Sequence, residues 1–402
     1  MLTVSESAQT TFQRKLSPVE RLFIATADTN PPFCNQMILE GTGTLDEKLW
    51  EKAVAEACEA NPGSRLVYRG RSVWSKWVDS GVSAPVRVVD GTNWSGHGPE
   101  GAPFLFDPIP YKERTCEVLL VKGGQLLRVI FRTHHATMDG AGTLGWANDI
   151  CRALRKEPLV GSKSMINDKE LVDQLNLKGH ETFRPNVYLS PTGPPQGDEP
   201  GFTWKRITVE GKFSKLLPRM AMAVAAEARK HSQGKVQFSI PLDLRRWIPE
   251  PPDSTANFTR RVLLDVPPDA TIESLTHEIK EKHKNICGDP KFNGLLAYIP
   301  SAMMRSSIRW GTKKIRERKR FSDSGILSNG GILPIDDLHG GGFVTTGFFW
   351  VPPHIEAKCL FISTIGYGNN IVEFVFAMSN IFANNGRFDE FVSNIMAEFK
   401  PN

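Results

Sequence analysis

The stretch FRTHHATMDGAGTLGW, residues 131–146, sets two histidines side by side and, four positions after the second, an aspartate followed by glycine. Neutral imidazole takes up a proton near pH 7, so a histidine at a cleft edge can act as base toward an attacking hydroxyl or amine. His135 suits that work because it stands where an alternating apolar run stops, and side chains at strand ends project into loop-lined clefts. Gly140 lets a ligand come close to the backbone, while Asp139 either orients His135 or fixes the loop through an arginine elsewhere. Neighbours on a strand point to opposite faces, so His134 and His135 do not readily share an ion, and no metal site is expected. Any single histidine is more often a satisfied core residue than a base. Four fixed residues, two of them the scarce histidine, meet by chance in roughly one chain per thousand, and that pattern favours a site.

The elements that must hold this loop are legible around it. CEVLLVKGGQLLRVIFRTHH, 116–135, reads as a hairpin about a Lys-Gly-Gly turn, and Leu144, Ala147, Cys151 and Leu154 mark one face of a following helix. The motif therefore lies between a strand and a helix. Upstream, Thr44 and Glu47 form a capping box ahead of Leu49, Ala53, Val54 and Ala57 at helical spacing over 44–60. The segment 183–202 holds five prolines and three glycines, with too little apolar surface to pack, and reads as an interdomain linker. Beyond it Val236, Phe238 and Ile240 alternate as a strand, and Ile272, Leu275, Ile279 and Ile286 face inward from a helix over 271–286. Met304, Ile308, Gly311 and Ile315 follow a helical stripe within 302–320; GILSNGGILP and GGGFVTTGFFWVPP read as Gly-rich loops and short strands. A chain of 402 residues exceeds what one core usually serves, so the expected division is 1–182 and 203–402 joined by the linker.

Composition narrows the function classes. With 40% hydrophobic and 23% charged residues the chain reads as globular, and a net charge of +5 falls well short of a nucleic-acid-binding signature. Cys34, Cys58, Cys116, Cys151, Cys287 and Cys359 are scattered without a CxxC, which reads as free thiols. No signal-peptide pattern opens the chain and no apolar run approaches a membrane span, so a cytoplasmic location is expected. Residues 305–320 carry eight Lys or Arg against one Glu, among them Arg316, Arg318, Lys319 and Arg320. That run is either a solvated helix end or an electrostatic surface for an anionic partner; Trp310 admits a membrane-surface role, which the periodicity disfavours. The other histidines, His97, His180, His231, His277, His283, His339 and His354, stand in polar or loop contexts and receive no role.

HHATMDG, His134 to Gly140, resembles the HHxxxDG motif of the chloramphenicol acetyltransferase-like superfamily, which spans condensation domains, polyketide-associated acyltransferases and wax ester synthases. The resemblance extends to GTLDEKLWEKAVAEACEANPGSR, similar to the family's early strand and helix, to IPLDLRRW, and to LSNGG at 327–331. It departs at Asn61 to Arg65, where members commonly carry His-Pro-x-Leu-Arg, and the DFGWG motif of the plant branch is absent. The resemblance implies an α/β fold of two subdomains, each a mixed sheet flanked by helices, with a tunnel between them. It makes His135 the catalytic base and Asp139 a structural residue paired with an arginine of the second half, Arg245 or, as the second choice, Arg246. His134 and Gly140 would support the loop, Ser328 and Asn329 would lie near the tunnel, and the Gly140 amide or the Ser328 hydroxyl would meet the oxyanion.

The implied reaction moves an acyl group from a thioester, acyl-CoA or the phosphopantetheine of an acyl-carrier protein, to an alcohol or amine in secondary or lipid metabolism. No bound cofactor is expected, since the thioester is a co-substrate. Arg316, Arg318, Lys319 and Arg320 would attract the CoA phosphates or an acidic carrier. Two rivals remain: a stand-alone condensation domain forming an amide for a peptide synthetase, and a non-catalytic member that recruits a carrier-bound partner.

Overall fold

In chain order the first half supplies β1 (Gln13–Lys15), α1 (Pro18–Thr29), β2 (Cys34–Gly43), α2 (Glu47–Ala60), β3 (Leu66–Arg69), β4 (Lys76–Asp79), β5 (Val86–Asp90), β6 (Cys116–Lys122), β7 (Leu127–His134), α3 (Gly140–Leu154) and α4 (Asp168–Leu175). The second half supplies β8 (Phe202–Glu210), α5 (Leu216–His231), β9 (Gln237–Asp243), β10 (Thr259–Asp265), α6 (Ile272–Lys284), α7 (Ser301–Arg318), β11 (Gly325–Leu333), β12 (Phe343–Val351), β13 (Leu360–Tyr367), β14 (Ile371–Ser379), α8 (Asn380–Ala383) and α9 (Arg387–Ala397). The structure, a computed structural model, describes residues 12–71, 74–177, 187–248, 253–286, 298–368 and 370–399. Cys287 and His180 lie outside the described residues.

A five-stranded sheet runs β12-β2-β7-β6-β5, a six-stranded sheet runs β10-β9-β11-β13-β14-β8, and β1, β4 and β3 form a small third sheet. Both large sheets are mixed: β5 and β6 are parallel, as are β11 with β9 and with β13, and the remaining pairs within them are antiparallel. The pleat assigns the faces. Met37, Leu39, Val129 and Phe131 pack beneath α2 and α3, whereas their neighbours Ile38 and Ile130 turn to the other side. There they meet Phe202, Trp204, Val375 and Ala377 of the second sheet, a core shared by the two halves.

A chain of charges crosses that same seam. Glu40 of β2 accepts from Arg128 Nε at 2.7 Å and from Arg206 Nη1 of β8 at 2.6 Å. Arg206 in turn grips Glu373 with two bonds of 2.8 and 2.7 Å, and Tyr367 donates to Glu373 at 2.6 Å. All four charged side chains are buried, so each partner offsets a desolvation cost the others would otherwise bear alone.

Four local features depart from the sequence reading. The helix over 44–60 starts at Glu47 with Asp46 as its cap, whose side chain accepts from Leu49 N at 2.9 Å. Thr44 is drawn away from capping because its own N–H donates to the Gly342 carbonyl at 2.9 Å. GILSNGGIL and FVTTGFFWV are nine-residue strands rather than Gly-rich loops with short strands; a register shift between Asn329 and Ile332 absorbs the paired glycines. The second of these, β12, pairs antiparallel with β2, so a strand from the 203–402 range completes the first sheet. Finally, residues 188–193 of the expected linker do pack: Tyr188 and Leu189 are buried, bonded through their N–H groups to the Phe321 and Lys235 carbonyls at 3.0 and 3.1 Å.

Candidate functional site

His134 closes β7, and His135 opens the turn to α3. The register of β7 against β2 and β6 makes His134 the inward residue: it is buried, its N–H donates to the Thr115 carbonyl at 2.7 Å, and its Nδ1 accepts from Ala136 N at 3.2 Å. Its ring meets Tyr111 edge to face at 5.5 Å. Burial lowers its pKa to about 3, so the ring is neutral and structural in kind.

His135 has other surroundings. Its imidazole lies stacked on Phe23 of α1 at 5.1 Å, with the edge of Phe33 at 5.2 Å, and its carbonyl accepts from Asn257 Nδ2 at 2.8 Å. The residue is half-buried, and its Nδ1 is enclosed without a hydrogen-bond partner among the described residues. Desolvation lowers the pKa to about 4, against the opposing pull of the Asp139 charge and the Met138 backbone. A neutral ring, stacked on Phe23 and set edge-to-face with Phe33, is in the form that accepts a proton.

Asp139 turns away from both histidines. It caps α3, taking Gly142 N at 2.8 Å on Oδ1, while Oδ2 accepts from Arg245 Nη1 at 2.9 Å and from Phe258 N at 2.8 Å. Arg245, in the turn after β9, also meets Asp243 at 3.0 Å and the Ala256 carbonyl at 2.6 Å, and lies over the Phe258 ring at 4.7 Å. Of the two neighbouring arginines it is Arg245 that meets Asp139. Asn35 ties the loop from the other side, donating to the Met138 carbonyl at 2.8 Å.

Residues 254–259 thus form the seam at which the second half meets the histidine loop. Gly142 permits the contact: a Cβ there would stand 2.1 Å from the Thr255 carbonyl oxygen, whereas one at Gly145 would meet nothing within 4 Å and one at Gly140 only the Trp350 ring at 3.7 Å. Gly142→Ala is therefore expected to destabilise by about 1–3 kcal/mol through overpacking. Gly145→Ala should stabilise by about 0.5–1 kcal/mol through helix propensity. Urea midpoints of the two variants should move in opposite directions, and parallel shifts would refute a tight seam.

The other residues singled out from sequence lie apart. Ser328 is half-buried in β11 and Asn329 is exposed there, its Oδ1 accepting from Gly331 N at 3.0 Å; no hydrogen bond joins either to the histidine loop among the described residues. Arg316 pairs with Glu356, Arg320 reaches the Gln233 carbonyl at 3.3 Å, and Arg318 and Lys319 stand exposed at the end of α7. His354 departs from the polar setting expected of it: it is buried, stacked on Phe202 at 4.8 Å, with Nε2 2.7 Å from Ser379 Oγ. Among the described residues no three His, Cys, Asp or Glu side chains converge to hold a metal ion. Phe23, Phe33, Asn257 and Gly142 escaped the sequence reading; only the second glycine of DGAG carried a signal, since nothing in periodicity marks which aromatic will flank a ring.

No model of a known protein family matches the sequence, and no curated protein sequence matches it. Solved structures do. A variant of the starter condensation domain of rhizomide synthetase RzmA, in complex with C8-CoA and Leu-SNAC, superposes with a TM-score of 0.64 at 13% identity, covering 97% of this chain and 95% of that one. The condensation domain of the monacolin K polyketide synthase MokA follows at 0.59 and 10% identity, covering 97% and 98%. The epimerization domain from the third module of tyrocidine synthetase B gives 0.57 at 14% identity, covering 99% and 97%. The chain therefore has the two-subdomain condensation-domain fold of the chloramphenicol acetyltransferase-like class, with mixed sheets flanked by helices.

Proposed function

We propose that this chain is an acyltransferase that moves an acyl group from a pantetheine thioester to an amine or hydroxyl, with His135 as general base. The observation that carries the reading is the state of His135: neutral, packed between Phe23 and Phe33, and beside a seam joining both halves. One neighbour of the same fold holds C8-CoA, and another is an epimerization domain, so the fold alone does not select the reaction. The site does. In direct transfer the acceptor's N–H or O–H proton passes to His135 Nε2 as its heteroatom bonds to the thioester carbonyl carbon. The tetrahedral adduct then collapses, the C–S bond breaks, and the sulfur leaves as a thiolate that takes the proton back from His135. Positioning of the two substrates supplies much of the remaining barrier reduction.

The five described cysteines support transfer without an acyl-enzyme. Cys34, Cys58, Cys116, Cys151 and Cys359 are buried, and burial pushes each thiol pKa up, the opposite of an activated nucleophile. The amide-forming variant of the reading draws on the neighbour that holds Leu-SNAC, an aminoacyl thioester. Among the described residues no helix is long and apolar enough to cross a membrane.

Purified protein incubated with acyl-CoA and acyl-carrier panels against amines and alcohols, read by intact mass and product mass, tests the reading. Product that needs His135 is expected; absence of transfer with every donor would refute it. The rate should also report the base. A protonated ring accepts nothing, so kcat/KM should fall below about pH 4 and stay level from about pH 5 to 7. An acid limb centred near 6.5, the value of an unperturbed histidine, would contradict a desolvated His135.

A further inference from the structure

One side chain of the 254–259 segment reaches the backbone of the base itself. Asn257 is buried; its Nδ2 donates to the His135 carbonyl at 2.8 Å, and its Oδ1 accepts from Thr259 N at 3.0 Å. Together the two bonds fix which end of the amide faces the histidine, since a backbone N–H can be met only by the oxygen. The first half holds the same residue by its other backbone group: His135 N donates to the Phe33 carbonyl at 3.4 Å. His135 is thus gripped through its main chain from both halves.

The clasp around Asp139 aims Asn257. The residue before it, Ala256, offers its carbonyl to Arg245 Nη2 at 2.6 Å, and the residue after it, Phe258, gives its N–H to Asp139 Oδ2 at 2.8 Å. Ser254 Oγ accepts from Ala256 N at 3.1 Å and closes the turn that precedes them. With both neighbours tied through their backbones, the Asn257 side chain is presented to the histidine loop in one orientation.

The imidazole depends on such an anchor. Its contacts with Phe23 and Phe33 are aromatic, and aromatic pairs are satisfied over a range of offsets; its enclosed Nδ1 holds no hydrogen bond among the described residues. A base works only within hydrogen-bond reach of the acceptor's proton, and a misplacement of about 1 Å costs on the order of 10²-fold. The placement of this ring is therefore inherited from its backbone.

We propose that Asn257 is a positioning residue for the base: by holding the His135 carbonyl from the second half, it sets where the imidazole stands. The proposal rests on the acyl-transfer reading and deepens it, because the Asp139–Arg245 pair then serves the reaction through Asn257 without touching the base.

Steady-state transfer from octanoyl-CoA to the acceptor of highest yield, measured beside melting temperatures and ¹H–¹⁵N spectra of the histidine rings, tests it. Asn257→Ala is expected to lower kcat about ten- to hundredfold per folded molecule, with both KM values within about threefold of wild type, and to displace the His135 ring resonances. Ser254→Ala loosens the same turn without touching His135 and should leave kcat within about twofold and the ring resonances in place. In the His135→Ala background the Asn257 substitution should change the residual rate by less than about twofold, since a residue acting through the base has nothing left to act on. Asn257→Ser, too short to reach the His135 carbonyl, should repeat the pattern and stands in should the alanine variant fold poorly. Four results would each overturn the proposal: kcat within about threefold of wild type, a loss matched by Ser254→Ala, a loss of equal size with and without His135, or a loss carried by KM. The spectra keep the two readings apart. Transfer that needs His135 but is indifferent to Asn257 sinks the positioning role alone; ring resonances displaced by Asn257→Ala in a protein that transfers from no donor sink the transfer reading and leave Asn257 holding the ring.

Discussion

His135→Ala should lower kcat by about 10²–10⁴ in single-turnover acyl transfer while the melting temperature stays within a few degrees of wild type. The factor is that of a positioned general base. The small stability change follows from what the ring touches: half-buried, it packs on Phe23 and Phe33, and its enclosed Nδ1 holds no hydrogen bond among the described residues. His134→Ala should show the inverse pattern. Its ring is buried, accepts from Ala136 N at 3.2 Å and packs on Tyr111, so its loss opens a cavity under the turn and lowers stability more than rate. Equal rate losses with both melting temperatures unchanged would end this division of roles. Acid data need one precaution. Unfolded histidines bind protons near pH 6.5, whereas folded His134 and His354, both lowered to about 3, do not. Between those values the unfolded state binds more protons, so each such residue withdraws about 1.4 kcal/mol of stability per unit of falling pH. Rates near pH 4 therefore belong to brief pH jumps with return of activity at pH 7 as the control.

How far the sequence carries depends on whether a feature is local. The β6 and β7 hairpin and the α3 face were readable because their hydrophobic periods repeat within the element, and Cys151 and Leu154 are buried as that period requires. Thr44 looked like a cap because the signature is local, but its N–H is claimed by Gly342, nearly three hundred positions away in the chain. The insertion of β12 beside β2 is likewise a pairing of distant segments, and its runs of phenylalanine read equally well as strand or loop edge. At the site the pattern of His135, Asp139 and Gly140 was visible as residue types at fixed spacing, and a resemblance supplied the arginine of the second half. Phe23, Phe33 and Asn257 were not visible, because what they contribute is position, and position comes from α1 and from the 254–259 segment folding back onto the histidine loop.

Asp139→Asn should destabilise the chain by about 3 kcal/mol, the low end of the range for breaking a buried ion pair. The carboxylate is buried and accepts from four donors: Gly142 N on one oxygen, and Arg245, Phe258 N and, at 3.5 Å, Thr259 Oγ1 on the other. An asparagine keeps one acceptor. If its oxygen stays with Gly142, the amide NH₂ is pressed against the Arg245 guanidinium and the Phe258 N–H; if it is flipped, α3 loses its cap, worth about 1 kcal/mol alone. Arg245 is not stranded, because Asp243 remains at 3.0 Å and the Ala256 carbonyl at 2.6 Å, which is why the low end of the range applies. Asp243→Asn should cost under about 1 kcal/mol, since that carboxylate is more exposed and Asp139 still neutralises Arg245. Because Asp139 points away from the base, the surviving folded fraction of Asp139→Asn should retain activity in proportion to folded protein, lowered by any drift of the loop. Denaturant midpoints and active-site titration of the same preparations decide the matter: a variant as stable as wild type but inactive would make Asp139 part of the chemistry rather than the clasp between the histidine loop and the second half.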